Sequence, residues 1–176
     1  VSWIPDFTSD GVLPEGDHPA TLEDLRAFVR GHDWSADGLA WRLQLLGNLE
    51  IVVNQLYAVG LEDIWIDGSF VEAKDTPGDI DAYVDVPRGE HQAKREALNI
   101  VSGSTLWTTK PFITPGLSQP KMPLWHEYQV EMFIVDVSFC LSVPEPLRDR
   151  LVPVLFRSTK LNAPKGIVKL KRKPAC

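Results

Sequence analysis

Asp79 and Asp81 stand two residues apart in the run DIDAYVDV. In a strand, side chains at that spacing share a face about 7 Å apart. Asp79, Asp81, Tyr83 and Asp85 then line one face, and Ile80, Ala82, Val84 and Val86 the other. Neighbouring carboxylates repel and resist burial unless a positive charge lies between them. A divalent cation supplies that charge. Hard oxygen ligands suit Mg²⁺ or Mn²⁺, and close carboxylates can hold two ions about 4 Å apart for phosphoryl chemistry. Gly68 and Ser69, at the end of DIWIDGSF, add a second component. A glycine at a strand end lets the backbone approach a ligand, and Ser69 with neighbouring N–H groups can hold phosphate oxygens.

Fixing metals from both sides calls for a third carboxylate on an adjacent strand. Asp136 in FIVDVSF is the candidate, because its run is otherwise too apolar to tolerate a lone charge. Glu131 has the opposite strand parity to Asp136 and is left outside the site. Asp85 reads as a solvated strand end, and Asp67 as a cap for the turn or a support for the metal shell. Lys165, Lys169, Lys171, Arg172 and Lys173 form a basic C-terminal cluster suited to a triphosphate or an RNA. Lys165 and Lys169, spaced i, i+4 on an expected helix, are the candidates for phosphate contact.

The elements that must position these groups follow from periodicity. Residues 1–20 read as an extended arm. Thr21 caps a helix running to about Gly31, and a second helix begins near Ser35 and ends near Gly60 with Leu39, Leu43, Leu46, Leu49, Val53 and Leu56 along one stripe. The period then changes to two, predicting a short strand in DIWIDGSF (63–70) stopped by Gly68 and another over 79–86. Residues 88–102 predict a surface helix with Ala93, Ala97, Ile100 and Val101 inward. The segment 103–128, carrying Pro111, Pro115, Pro120 and Pro123, reads as a long irregular excursion with one short strand. Residues 128–141 predict a strand, and 145–157 and 163–172 predict helices. The expected fold is a single α/β (α+β) domain over 1–176, a mixed sheet backed by helices, with arm 1–20 and basic segment 165–176.

At 176 residues the chain suffices for one real core, and 44% hydrophobic residues exclude a disordered class. A net charge of −6 argues against a surface that grips nucleic acid throughout. No apolar run reaches a membrane span and the first residues lack a signal-peptide pattern, which predicts a soluble, cytoplasmic protein. Cys140 and Cys176 read as independent thiols. The four histidines lack zinc spacing, and no Gly-x-Ser-x-Gly hydrolase motif is present.

Gly68-Ser69, nine intervening residues, Asp79-Ile80-Asp81 and a strand-borne Asp136 resemble the signature of the polymerase-beta-type nucleotidyltransferase superfamily. More loosely, GVLPEGDHPATLEDL and KGIVKL are similar to small bacterial and phage nucleotidyltransferase-like proteins. The resemblance implies a mixed sheet backed by helices, two Mg²⁺ ions, and transfer of a nucleotide from a nucleoside triphosphate such as ATP to a hydroxyl. It further implies that Gly68 and Ser69 position the triphosphate, that Asp79 and Asp81 hold both metals, and that Asp136 holds the catalytic one and helps activate the attacking hydroxyl. The acceptor is an RNA such as tRNA, a protein or a small molecule. Several relatives of this size are toxins of toxin–antitoxin or phage-defence systems, which implies an inhibitory antitoxin-like partner as one possibility. The alternative is a catalytically silent fold that binds nucleotide or a protein partner as a regulator. Tyr83, Trp107 and Tyr128 are the aromatics available to stack a base.

Overall fold

The computed structural model describes residues 3–159, 161 and 163–173. Cys176 lies outside them, while Cys140 is a buried free thiol. Five strands, β1 (Gly16–Ala20), β2 (Ile64–Asp67), β3 (Ile80–Asp85), β4 (Val130–Val135) and β5 (Gly166–Leu170), form one mixed sheet in the order β1-β5-β2-β3-β4. β2 runs antiparallel to both its neighbours, whereas β1 pairs β5 and β3 pairs β4 in parallel.

Alternation along the strands divides the sheet into two unlike faces. Ile64, Ile66, Ala82, Val84, Val130, Met132, Val168 and Leu170 pack beneath α1 (Leu22–Gly31) and α2 (Ala36–Ala58). Trp65, Tyr83 and Ile167 point the other way, into a smaller cluster closed by Phe156. Asp67, Asp81 and Glu131 share the parity of this second face, so the acids leave the main core without breaking it. The result is an α/β fold, a mixed sheet backed by helices.

Local chemistry explains the two long helices. Thr21 and Asp24 form a reciprocal capping box at α1. Ser35 caps α2 by accepting from the Gly38 N–H at 3.0 Å. The stripe of α2 buries Leu45, Leu46, Leu49, Val52, Val53 and Leu56, at several kcal/mol of transfer free energy in total, at about 25 cal/mol per Å². Among the described residues no helix is long and apolar enough to cross a membrane.

Several elements differ from expectation. Residues 16–20 of the arm form β1, paired to β5. The segment 163–172 is the strand β5 rather than a helix, because it inserts between β1 and β2. The strand expected to continue to residue 141 stops at Val135, where Asp136 caps the short α5 (Val137–Ser142). The helix expected over 145–157 reduces to a 3₁₀ turn at Arg148–Arg150 and the single-turn α6 (Val152–Leu155). In α3 (His91–Ser102) it is Leu98 that turns inward, while Ala93, Ile100 and Val101 are exposed. That rotation lets Asn99 accept from the Trp107 N–H at 3.0 Å. The Pro-rich excursion contains an isolated antiparallel bridge between Phe112 and Lys121 before α4 (Pro123–Tyr128).

Candidate active site

Strand register builds an acidic row across three strands. Asp67 lies opposite Asp81 on the antiparallel pair β2–β3, and Asp81 lies beside Glu131 on the parallel pair β3–β4. Asp79, just before β3, shares the face of Asp81. Asp79, Asp81 and Glu131 each present a carboxylate oxygen, and the three lie within 4.8 Å of one another. Three hard oxygens at this spacing could hold a divalent cation such as Mg²⁺ or Mn²⁺.

The electrostatics are those of an under-neutralised cluster. Burial, and then the charges of Asp79, Glu131 and Asp67, push the Asp81 carboxyl up to about 7. Asp67 is 4% exposed, and its burial outweighs the attraction of Lys165 to raise it to about 6. Two lysines flank the row. Lys165 Nζ lies 3.0 Å from Asp67 Oδ1, an ion pair without hydrogen-bond alignment, and donates to Glu72 Oε1 at 2.7 Å. Burial alone would lower the Lys165 pKa, yet Asp67 and Glu72 together hold it above the ordinary lysine value. On the other flank, Lys121 Nζ donates to Glu131 and lies 3.4 Å from Asp79 Oδ2. The Trp125 indole N–H also donates to that Asp79 oxygen, at 2.8 Å.

Gly68 begins the 3₁₀ turn Gly68–Val71 directly after β2, with φ +75°. A Cβ at this position would sit 2.2 Å from Asp81 Oδ2. Only glycine permits both the left-handed backbone and the approach of the carboxylate. Beyond the turn opens a cavity of about 800 Å³, within the range of small-molecule sites and lined by Gly68, Ser69, Lys74, Asp81, Thr159 and Lys165.

A buried arginine on α2 shapes this turn. Arg42 is fully buried and donates to the carbonyls of Phe70 at 2.6 Å, Glu72 at 2.9 Å, Asp75 at 3.3 Å, Ser69 at 3.4 Å and Lys74. Its guanidinium lies 3.7 Å from the Trp34 ring centroid. Burial lowers its pKa to about 10, a value that leaves it charged at neutral pH. The segment that follows Gly68 is thus wound around one cation. Ser35 closes the wrap by donating its backbone N–H to Asp75 Oδ1 at 2.7 Å.

The expected site residues separate into two groups. Gly68, Ser69, Asp79, Asp81 and Lys165 are gathered around the acidic row and the cavity. Asp136 is not: it lies one residue beyond β4, five positions past Glu131, which is roughly 16 Å along a strand and on the opposite parity. Its carboxylate accepts from the backbone N–H of Phe139 at 2.8 Å and of Arg88 at 3.0 Å. Those two bonds hold its pKa below the usual carboxylate value, as befits a helix cap. The carboxylate that does lie beside Asp79 and Asp81 is that of Glu131. Lys169 also lies elsewhere, 2.9 Å from Asp63 and over the Trp65 ring, since a strand rather than a helix separates it from Lys165. Arg172 and Lys173 pair with Glu62 and Glu23. Tyr83 stacks on Trp65 and is 1% exposed, and Trp107 is buried against Gln55, so neither offers a free face to a base.

The sequence reading missed Lys121, Trp125 and Arg42. Arg42 had a signal: it stands three residues after Leu39 and four before Leu46, a charge inside an apolar stripe. Lys121 and Trp125 had none, because they reach the row from an irregular segment. Searches of curated proteins and of solved structures find no match to this chain. A family profile, by contrast, matches residues 5–171. The chain therefore belongs to DUF6932, a family of unknown function.

Proposed function

We propose that this protein is a metal-dependent nucleotidyltransferase. The observation that carries the reading is the acidic row Asp79, Asp81 and Glu131 opening beside the Gly68-Ser69 turn and its cavity. Mg²⁺ or Mn²⁺ held by the three carboxylates would neutralise the charge that develops on the transferring phosphoryl group. The Gly68-Ser69 turn positions the triphosphate, and Lys165 and Lys74 place positive charge along the cavity wall. Lys165 also keeps Asp67 paired beneath the row. The acceptor hydroxyl oxygen bonds to the α-phosphorus as the α–β phosphoanhydride bond breaks. Pyrophosphate leaves, and the hydroxyl proton passes to the acidic row. Positioning and electrostatics supply most of the acceleration, and no covalent enzyme intermediate is required.

The acceptor is an RNA, a protein hydroxyl or a small molecule. A toxin or phage-defence role with an inhibitory protein partner rests on the resemblance, and toxicity on expression tests it. The second reading, a catalytically silent nucleotide-binding regulator, draws on one observation: Lys121 already pairs with two of the acids. The separating experiment offers α-³²P-labelled forms of the four nucleoside triphosphates with Mg²⁺ to cellular RNA, protein and small molecules. Transfer by the native chain that is absent from the Asp79→Ala/Asp81→Ala variant supports the enzyme. Metal-dependent nucleotide binding without transfer to any fraction supports the silent reading.

A further inference from the structure

Lys121 occupies the position of a cation. Its ammonium sits between Asp79 and Glu131, two of the three acids of the row, and its side chain is 24% exposed. Neither Lys121 nor Lys165 forms an ion pair with Asp81 among the described residues. A monovalent ammonium thus partly neutralises a group of acids that a divalent ion would neutralise further. The ammonium and a divalent ion compete for the negative charge of the same two carboxylates.

The backbone of Lys121 gives this contact a mechanical consequence. Lys121 and Phe112 exchange two backbone hydrogen bonds, each 2.9 Å, closing the loop of residues 113–120. Phe112 stacks on His126 of α4 with ring centroids 3.9 Å apart, and its carbonyl pairs with His126 Nε2 at 3.0 Å. The loop is therefore tied down at two points. One is the aromatic and hydrogen-bonded contact with α4, and the other is the ammonium in the acidic row. A third contact lies alongside, with Lys121 Nζ 5.3 Å from the Trp125 ring centroid while the Trp125 indole binds Asp79.

We propose that Lys121 is a built-in competitor of the divalent ion, which must displace its ammonium and so release the ionic tie of the 112–121 loop. The inference rests on the metal-site reading above and adds that loading is coupled to the loop. It places the affinity for the ion under the control of a residue that is not itself a ligand. Electrostatics set the direction, because removing a positive charge within about 4 Å of two carboxylates strengthens their attraction for any other cation.

Mn²⁺ binding, followed without nucleotide by the paramagnetic resonance of the free ion, tests the proposal on the full chain. Lys121→Met is expected to bind Mn²⁺ at least tenfold more tightly than the native protein. Lys121→Arg, which retains the charge, is expected to stay near the native affinity. Asp81→Asn is expected to bind far more weakly. Deuterium uptake across residues 111–122 is expected to rise when Mn²⁺ is added to the native protein. Equal affinity of Lys121→Met and the native chain, with binding lost in Asp81→Asn, would overturn the competition and leave the metal site standing. Unchanged uptake in the loop on Mn²⁺ binding would overturn the coupling. No Mn²⁺ binding by any of the proteins would overturn the metal site and this proposal together. Circular dichroism of each variant separates these results from misfolding.

Discussion

Gly68 and Asp81 are fitted to each other: the hydrogen that glycine carries in place of a side chain is what leaves room for the Asp81 carboxylate, whose Oδ2 would be 2.2 Å from a Cβ. The contact links the turn proposed for phosphate to the acid at the centre of the row. Gly68→Ala should therefore both strain a left-handed backbone and push Asp81 aside, with a stability loss of about 1–3 kcal/mol. Nucleotide transfer should fall at least a hundredfold. Thermal denaturation and the labelling assay measure the two effects separately.

Glu131 and Asp136 should exchange the importance that their sequence contexts suggest. Glu131→Gln removes one charge from the row and should reduce transfer at least a hundredfold with little loss of stability, the like-charge repulsion being relieved. Asp136→Asn leaves the row intact and should retain most of the activity. Its expected effect is a modest fall in melting temperature as the α5 cap and the Arg88 contact weaken. Near-native transfer by Glu131→Gln would reject the structural assignment of the third acid.

Arg42→Met should be among the most damaging single changes outside the row. It leaves the buried Phe70 carbonyl unsatisfied and takes the guanidinium donors from the Glu72 and Lys74 carbonyls, and a buried unsatisfied polar group costs about 1–3 kcal/mol. Urea denaturation should show a loss of roughly 3 kcal/mol or more. Arg42→Lys keeps the charge without the planar fork and should fall between the two.

The acidic row predicts a pH dependence with a defined sign. Asp81 is raised to about 7 in the folded metal-free protein, above its ordinary value of 3.8, so the folded state holds a proton that the unfolded state has lost. This stabilising contribution is complete at low pH and disappears as pH rises towards about 7. Mn²⁺ competes with the same proton, so its affinity should increase through that window. Titrations between about pH 5.5 and pH 8 should show the rise in the native protein. A flat profile in the native protein would contradict the raised Asp81.

Trp125 offers an intrinsic reporter, since its indole N–H binds the Asp79 oxygen that faces Lys121. Adding Mn²⁺ should quench part of the tryptophan emission, and Trp125→Phe should remove most of that response although five other tryptophans remain of the six. Quenching of undiminished amplitude in Trp125→Phe would place the ion elsewhere.

Much of this arrangement was written in local sequence. The two-residue spacing of Asp79 and Asp81 put them on one face because strand side chains alternate, and the capping residues and apolar stripe of α1 and α2 required no distant partner. Tertiary structure decided the third acid, because the alignment of Glu131 beside Asp81 is a register between strands fifty residues apart, which neither run encodes alone. It also decided that residues 166–170 form a strand, since pairing with β1 and β2 outweighs the weak preference of so short a segment. Lys121 reached the acids from an irregular loop with no periodicity to announce it, and Arg42 found its purpose in carbonyls that assemble only once the turn closes around it. Chain-local geometry thus places the first two acids and the helices, whereas the remaining charges of the site come from pairings between distant parts of the chain, which depend on the sheet having formed.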